Sequence, residues 1–252
     1  MQGYIAKYES FATMEGPGIR FAVFLSGCNL RCVCCHNPDS WRQGNPVDSE
    51  DLVRQILRYK PYFRSGGGVT FSGGEPLMQT DFVIEVSRML KAEGIHIVLD
   101  TACSLLETGQ KELYDLCDLV IADLKFPDAE GYERYCKNGV FDTVIKTFEY
   151  LDMKQIPVWV RTVIIPGIND TKEMIARYAA IIKKYSTIQK YELKPFHTMG
   201  FSKYEQLGIE NPLADTAALS PDRLGQLKQD LNEIMNKNPN QVRSFLVNKR
   251  QG

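Results

Sequence analysis

A chain of 252 residues suits one large α/β domain or two small ones, and 44% hydrophobic with 24% charged residues is a globular balance that argues against disorder. A formal net charge of −1 leaves no basic footprint for nucleic acid and no polybasic patch for a membrane surface. The opening residues, MQGYIAKYES, carry no export pattern and no apolar run reaches membrane-span length, so the expected location of this cysteine-clustered chain is the reducing cytoplasm.

Residues 3–10 read as a short strand, and Gly16, Pro17 and Gly18 as a tight turn. The near-continuous apolar run over 20–26 is the pattern of a parallel strand buried on both faces, and it delivers the chain into Cys28. A helix is predicted over about 49–60, capped by Asp48 or Ser49, with Leu52, Val53, Ile56 and Leu57 on one face. Three glycines, 66–68, precede a strand over 69–72 that runs into Gly73, Gly74 and Glu75. Alternation then continues: helix about 80–93 with Gly94 beyond its end, strand 96–100, helix 107–116, strand 118–123, helices near 129–137 and 143–153, and strand 157–165. Asp170 with Glu173 predicts the start of a helix reaching about 185, followed by a strand over 191–194. A loop of about two dozen residues leads to the last helix, which Ser220 caps with Pro221 at its first position.

Four of the seven cysteines, Cys28, Cys32, Cys34 and Cys35, fall within eight residues. Core cysteines do not cluster in this way; such a stretch binds metal, exchanges disulfides or is stapled by them. The Cys-x3-Cys-x2-Cys spacing of 28, 32 and 35 lets one loop wrap an iron–sulfur cube, leaving one of four irons without a protein ligand. Structural zinc would want a second ligand pair, which does not follow at the usual distance. A thioredoxin-like dithiol at 32 and 35 would open a helix, but Pro38 and Asp39 come almost at once. Stapling is unneeded in a chain able to bury its own core. Cys103, Cys117 and Cys136 read as ordinary buried thiols.

Six strand–helix alternations predict a parallel sheet that curls into a partial (β/α)6 barrel, TIM-like but too short to close, forming a single domain over 1–252. The polar residues favour the barrel because they gather at strand C-termini: Cys28, Glu75, Asp100 with Thr101, Asp123 with Lys125, Arg161 within its strand, and Lys194 with His197. Gly73 and Gly74 allow close backbone approach to a ligand, with Glu75 offering a carboxylate to an amine; a turn with a solvated glutamate is the plainer alternative. Asp123 and Lys125 point to the same side, as a rim ion pair or as a site for an amino-acid-bearing cofactor. Asp100 with Thr101 reads as help for a cation or as a helix cap. A lumen-facing Arg161 needs an anionic partner, and His197 is either an exposed loop histidine or a group that meets a nucleoside.

Taken together, Gly16-x-Gly18-x-Arg20, Phe24, Gly27-Cys28-x3-Cys32-x2-Cys35-x-Asn37, Gly73-Gly74-Glu75, Leu99-Asp100-Thr101, Asp123-Leu124-Lys125, Arg161 with Pro166-Gly167, and Pro195-Phe196-His197 resemble the glycyl-radical-enzyme activases of the radical S-adenosylmethionine (radical SAM) superfamily. The resemblance runs over nearly the whole chain. It implies a radical SAM barrel in which Cys28, Cys32 and Cys35 hold a [4Fe–4S] cluster whose open iron takes S-adenosyl-L-methionine. It implies cofactor contacts at Cys34, His36, Gly74, Asp123, Leu124, Lys125 and His197, with Gly73, Glu75 and Arg161 nearby, and a monovalent cation, Na⁺ or K⁺, at Asp100, Thr101 and Asp123. The implied activity is reductive cleavage of the cofactor and hydrogen abstraction from a glycine of a partner enzyme, with flavodoxin or ferredoxin as electron donor. Residues 38–68 lack the cysteine-rich insert of many such activases, which makes pyruvate formate-lyase the expected partner; the alternatives are a different glycyl-radical enzyme, or a non-catalytic iron–sulfur or zinc module. One position departs from the family: Cys34 stands where an aromatic usually precedes the third cysteine. A thiol there shields less and can compete as a ligand, while Cys35 keeps the spacing and the following His-Asn.

Overall fold

A computed structural model describes residues 1–64 and 66–236; the end of the expected domain, 237–252, lies outside the described residues. One eight-stranded sheet runs through them, in the order β3-β1-β2-β4-β5-β6-β7-β8. Its strands are β1 Gln2–Ala12, β2 Arg20–Leu25, β3 Asn45–Asp48, β4 Gly68–Gly73, β5 His96–Thr101, β6 Leu119–Asp123, β7 Val158–Ile164 and β8 Ile188–Pro195. The six strands from β2 to β8 pair in parallel, as the alternation predicts, whereas β1 lies antiparallel to β2 and β3 antiparallel to β1. The short strand β3, which no periodicity announces, is an addition to the expected architecture.

The sheet does not stay flat. Five strand spacings separate β2 from β8, which in a flat sheet is about 24 Å. Yet His36, beyond β2, stacks on His197, beyond β8, with ring centroids 3.9 Å apart. Only a curled sheet brings those ends together, and β3 and β8 remain as its free edges.

Strand alternation decides what faces where. Phe21, Val23, Leu25, Val69, Phe71, Ile97, Leu99, Val120, Ala122, Val158 and Val160 point outward into the main core. Against them pack α1 Ser49–Leu57, α2 Thr80–Ala92, α3 Thr108–Leu116 and α4 Phe141–Met153, each burying one apolar stripe. Helices α5 Lys172–Ile182 and α7 Pro221–Asn236 close a second cluster with Leu193 of β8. The inward positions include Arg20, Thr70, Ser72, Asp100, Asp123, Arg161 and Glu192, so the polar chemistry falls on the concave side.

Three local expectations change. The side chain that caps α5 is Thr171, accepting from the Met174 N–H, while Asp170 instead accepts from the Gly167 N–H in the preceding turn. The helix expected near 129–137 is a single turn, Ala129–Gly131, widening into a π turn over Tyr132–Cys136. Inside the expected loop before the last helix lies α6 Phe201–Leu207, which ends at Gly208 with φ +63°.

Arg20 locks the base of the curl. Its side chain is fully buried and donates to Thr70 Oγ1 and to the carbonyls of Pro17, Gly66, Val69 and His96. Burial, with no carboxylate in contact among the described residues, holds its pKa down to about 10. Arg20→Met leaves those acceptors without a donor, and the expected loss is about 3–5 kcal/mol of stability in urea unfolding. Arg20→Lys recovers little, since an ammonium cannot span the fork.

Candidate active site

The loop leaving β2 is gripped from three sides. The Arg31 and Val33 N–H groups donate to the carbonyls of Cys136 and Tyr135 at 3.0 and 2.9 Å, and Asn138 Nδ2 donates to the Asn29 carbonyl at 3.1 Å. From α6, the Tyr204 hydroxyl donates to the Cys35 carbonyl at 2.9 Å, and Lys203 Nζ reaches both Asn37 and Asp39 at 2.9 Å. Beneath, the Glu75 N–H donates to the Gly27 carbonyl at 2.8 Å.

That last contact explains the paired glycines. A Cβ on Gly74 would lie 2.1 Å from the Gly27 oxygen, and one on Gly73, whose φ is +119°, would lie 2.3 Å from the Leu25 backbone. The close approach these glycines permit is first to the stem of the cysteine loop itself. Both also line the cavity above it.

That cavity, about 190 Å³, opens at the C-terminal ends of the parallel strands. Cys28, Cys32, Cys34, Cys35, His36, Gly73, Gly74, Asp100, Thr101, Asp123 and Lys125 all line it, joined by Trp41, over which Arg31 stacks at 5.0 Å. Lys125 Nζ pairs with Asp123 Oδ2 at 2.8 Å. Burial disfavours that ammonium, but the surrounding negative charge, Asp123 first, outweighs it and holds it well above the usual lysine range.

Four of the expected residues sit elsewhere. Leu124 is fully buried. Glu75 is also fully buried, and its carboxylate, expected to meet an amine, accepts from Leu77 N–H and Thr101 Oγ1 on one oxygen and from Ala102 N–H on the other. Arg161 lines a smaller adjoining hollow and finds its anionic partners in Glu192 at 3.1 Å, Glu15 at 3.4 Å and Asp100 at 3.7 Å. His197 stacks against His36, and its Nδ1 is buried with no hydrogen-bond partner among the described residues.

Asp100 also accepts from Ser72 Oγ at 2.9 Å, and burial pushes its carboxyl up despite Arg161. Glu15, which reaches Arg161 from the turn before β2, carried no signal of this role in its local sequence. The same holds for Tyr204 and for Cys136, whose thiol is buried as expected but lines one small hollow with Cys32.

The thiols suit an iron–sulfur cube. Burial pushes Cys28 up to about 12 and Cys35 up to about 11, so in this pocket they hold their protons until a metal displaces them. Leu30 N–H donates to Cys28 Sγ at 3.4 Å, the polar support that electron-rich ligand sulfurs want. Among the described residues no three His, Cys, Asp or Glu side chains converge to hold a single ion. A cube with separate iron corners asks only that the thiols ring a shared hollow, and Cys28, Cys32 and Cys35 do. The Asp123–Lys125 pair lines the same cavity and presents one anionic and one cationic group to a zwitterionic nucleoside beside it. No helix among the described residues is long and apolar enough to cross a membrane.

The sequence profile of the Radical SAM superfamily matches residues 22–179. A pyruvate formate-lyase-activating enzyme of Clostridium pasteurianum is 42% identical over 240 residues, covering 93% of this chain and 99% of that protein. One from Staphylococcus epidermidis is 39% identical, over 83% and 87% of the two chains. Among solved structures, a domain of pyruvate-formate lyase-activating enzyme from Bacteroides vulgatus superposes with a TM-score of 0.55 at 24% identity, over 67% of this chain and 95% of that one. Streptococcus suis SuiB bound to its precursor peptide SuiA superposes with 0.62 at 17% identity, over 83% and 45%. At those identities the structures speak for the fold alone.

Proposed function

The chain belongs to the radical SAM superfamily, in the family of pyruvate formate-lyase-activating enzymes, and from that premise we propose that it activates pyruvate formate-lyase by installing a glycyl radical. The observation that carries this reading is the convergence of Cys28, Cys32, Cys35, Asp123 and Lys125 on one cavity at the strand ends. When bound, the [4Fe–4S] cluster supplies one electron for reductive cleavage of S-adenosylmethionine, whose adenosyl fragment takes hydrogen from a partner glycine.

The chain's own residues bind and orient. Cys28, Cys32 and Cys35 hold the cluster. Lys125 meets the cofactor's carboxylate, with Asp123 setting its direction through their ion pair. The Gly73–Gly74 backbone and the Cys34 and His36 edges form the cavity wall, and His197 holds the His36 ring from behind by stacking and through its carbonyl, 3.0 Å from His36 Nε2. Glu75 and Leu124 act from behind: Glu75 fixes Thr101 and the 102 backbone, and Leu124 packs the strand that presents Asp123 and Lys125. Arg161 ties Glu15, Asp100 and Glu192 across the concave face. A monovalent cation, Na⁺ or K⁺, belongs to the same proposal, beside the oxygens of Asp100, Thr101 and Asp123. So do a single domain over 1–252, a cytoplasmic location, and flavodoxin or ferredoxin as electron donor.

Glycine is the apt target because it lacks a side chain to block approach, and the free edges of the curled sheet leave a way in. The test is to mix anaerobically reconstituted, reduced protein with S-adenosylmethionine and pyruvate formate-lyase. A glycyl-radical signal in electron paramagnetic resonance (EPR) spectra, with matching release of 5′-deoxyadenosine, is expected. Cofactor cleavage without a radical on this partner, but with one on another glycyl-radical enzyme, would redirect the partner assignment; binding without any cleavage would overturn the activity.

A further inference from the structure

The cysteine loop closes on itself. The Gly27 N–H donates to the Ser40 carbonyl at 2.7 Å, joining the stem that enters the loop to the 3₁₀ turn Pro38–Trp41 that leaves it. Trp41 is thereby held beside that stem, half-buried, and its ring joins the lining of the cavity that Cys28, Cys32 and Cys35 share. Contacts from two directions fix the ring. Arg31 lies over it at 5.0 Å, and its Nη1 is itself anchored by the carbonyls of Cys28 at 2.6 Å and Leu30 at 2.7 Å. From α6, Tyr204 meets the indole edge-on at 6.3 Å, and the adjacent Arg42 donates to the Leu207 carbonyl at 3.1 Å. Arg31 is exposed and stands outside the cavity lining, so the indole is a wall with a solvated cation on one side and thiols on the other. The one other ring in that lining is the imidazole of His36, already stacked on His197, and position 34 contributes only a thiol.

We propose that Trp41 is the shield of the cluster site: its indole closes the cavity on the Arg31 side and keeps water and dissolved reagents from the iron. It supplies the cover that Cys34 is too small to give. The inference rests on the cluster reading proposed above. An indole is large, flat and apolar with few rotatable bonds, so it covers much surface at low entropic cost. A site kept dry strengthens every charge interaction inside it, including those by which Asp123 and Lys125 orient a zwitterion. The part of Trp41 is exclusion, and no bond is made or broken at its ring.

The test follows iron release from the full chain, reconstituted anaerobically with iron and sulfide, into a water-soluble sulfonated phenanthroline. With the wall intact, iron leaves only as fast as the site opens, whatever the chelator concentration. Trp41→Ala is expected to let the chelator in, giving a rate that climbs in proportion to its concentration and exceeds the parent about tenfold at the highest level. Trp41→Phe keeps a flat ring and is expected to stay within about threefold of the parent. Trp41→Leu serves the same comparison if the alanine variant takes up no iron. Faster release that ignores chelator concentration would overturn the proposal, because the ring would then only brace the loop; so would release at the parent rate. The underlying reading fails separately: parent protein that takes up no more iron than a variant with Cys28, Cys32 and Cys35 all changed to Ser has no cluster for Trp41 to shield.

Discussion

Cys35→Ser is expected to leave the protein without its cluster, while Cys34→Ala keeps it. The two thiols are adjacent and both line the cavity, so proximity does not separate them. Their support does. Cys35 has its carbonyl held by the Tyr204 hydroxyl at 2.9 Å and its own N–H bonded to the Cys32 carbonyl at 3.1 Å. At Cys34 the dominant influence is burial, which pushes the thiol up to about 12, followed by the charges around it. Burial raises the Cys28 and Cys35 thiols in the same way, so the difference is one of placement: the bonds at Cys35 fix its backbone in the loop, and Cys35 keeps the Cys-x3-Cys-x2-Cys spacing. After anaerobic reconstitution, parent and Cys34→Ala should carry about four irons per chain. Cys35→Ser should carry almost none and cleave S-adenosylmethionine more than about 100-fold slower. The opposite pattern, with Cys34 indispensable and Cys35 replaceable, would shift the ligand set by one residue and undo the Cys-x3-Cys-x2-Cys assignment.

The second large effect is on stability. Glu75→Ala is expected to lose about 3–5 kcal/mol in urea unfolding of the cluster-free protein, because it strands two backbone N–H groups and the Thr101 hydroxyl in a fully buried site. Were Glu75 a cofactor contact and nothing more, the variant would unfold like the parent and only cofactor affinity would fall. The pH dependence adds a second check. Burial raises the Glu75 pKa, and the bonds from Thr101, Leu77 and Ala102 offset only part of that rise. With the folded value above the unfolded one, the native state binds more protons between the two. Its contribution is then fully present below the unfolded value, about 4.3, and is lost as pH rises through the folded value. The stability gap between parent and Glu75→Gln should therefore be widest near that lower limit and narrow as pH rises. A gap that widens with pH would mean that the three donors outweigh burial.

Both predictions turn on the difference between a residue type and its surroundings. Cys28, Cys32 and Cys35 were legible because their spacing within one loop is itself the constraint, and the six parallel strands β2 and β4 to β8 because a doubly buried strand needs an unbroken apolar run. Gly73 and Gly74 were legible as sites of close approach, but not in what they approach, since the Gly27 carbonyl belongs to a different strand's exit. Glu75 looked like a free carboxylate, and its three donors come from the 3₁₀ turn Pro76–Gln79 and the end of β5. Thr171 displaced Asp170 as the α5 cap because both are competent acceptors one residue apart, and the Gly167 turn had already engaged the aspartate.

By itself, the sequence determined the alternation of strands and helices, the cysteine loop and the rim on which the polar groups gather, because each depends on neighbours within a turn or a pleat. Curling was decided elsewhere: it brings His36 onto His197, Glu15 and Asp100 onto Arg161, and Cys136 into one hollow with Cys32, pairs separated by 61 to 161 positions. Such contacts leave no local pattern, since their partners are chosen by the path of the folded backbone and stabilised only once burial has removed the water between them.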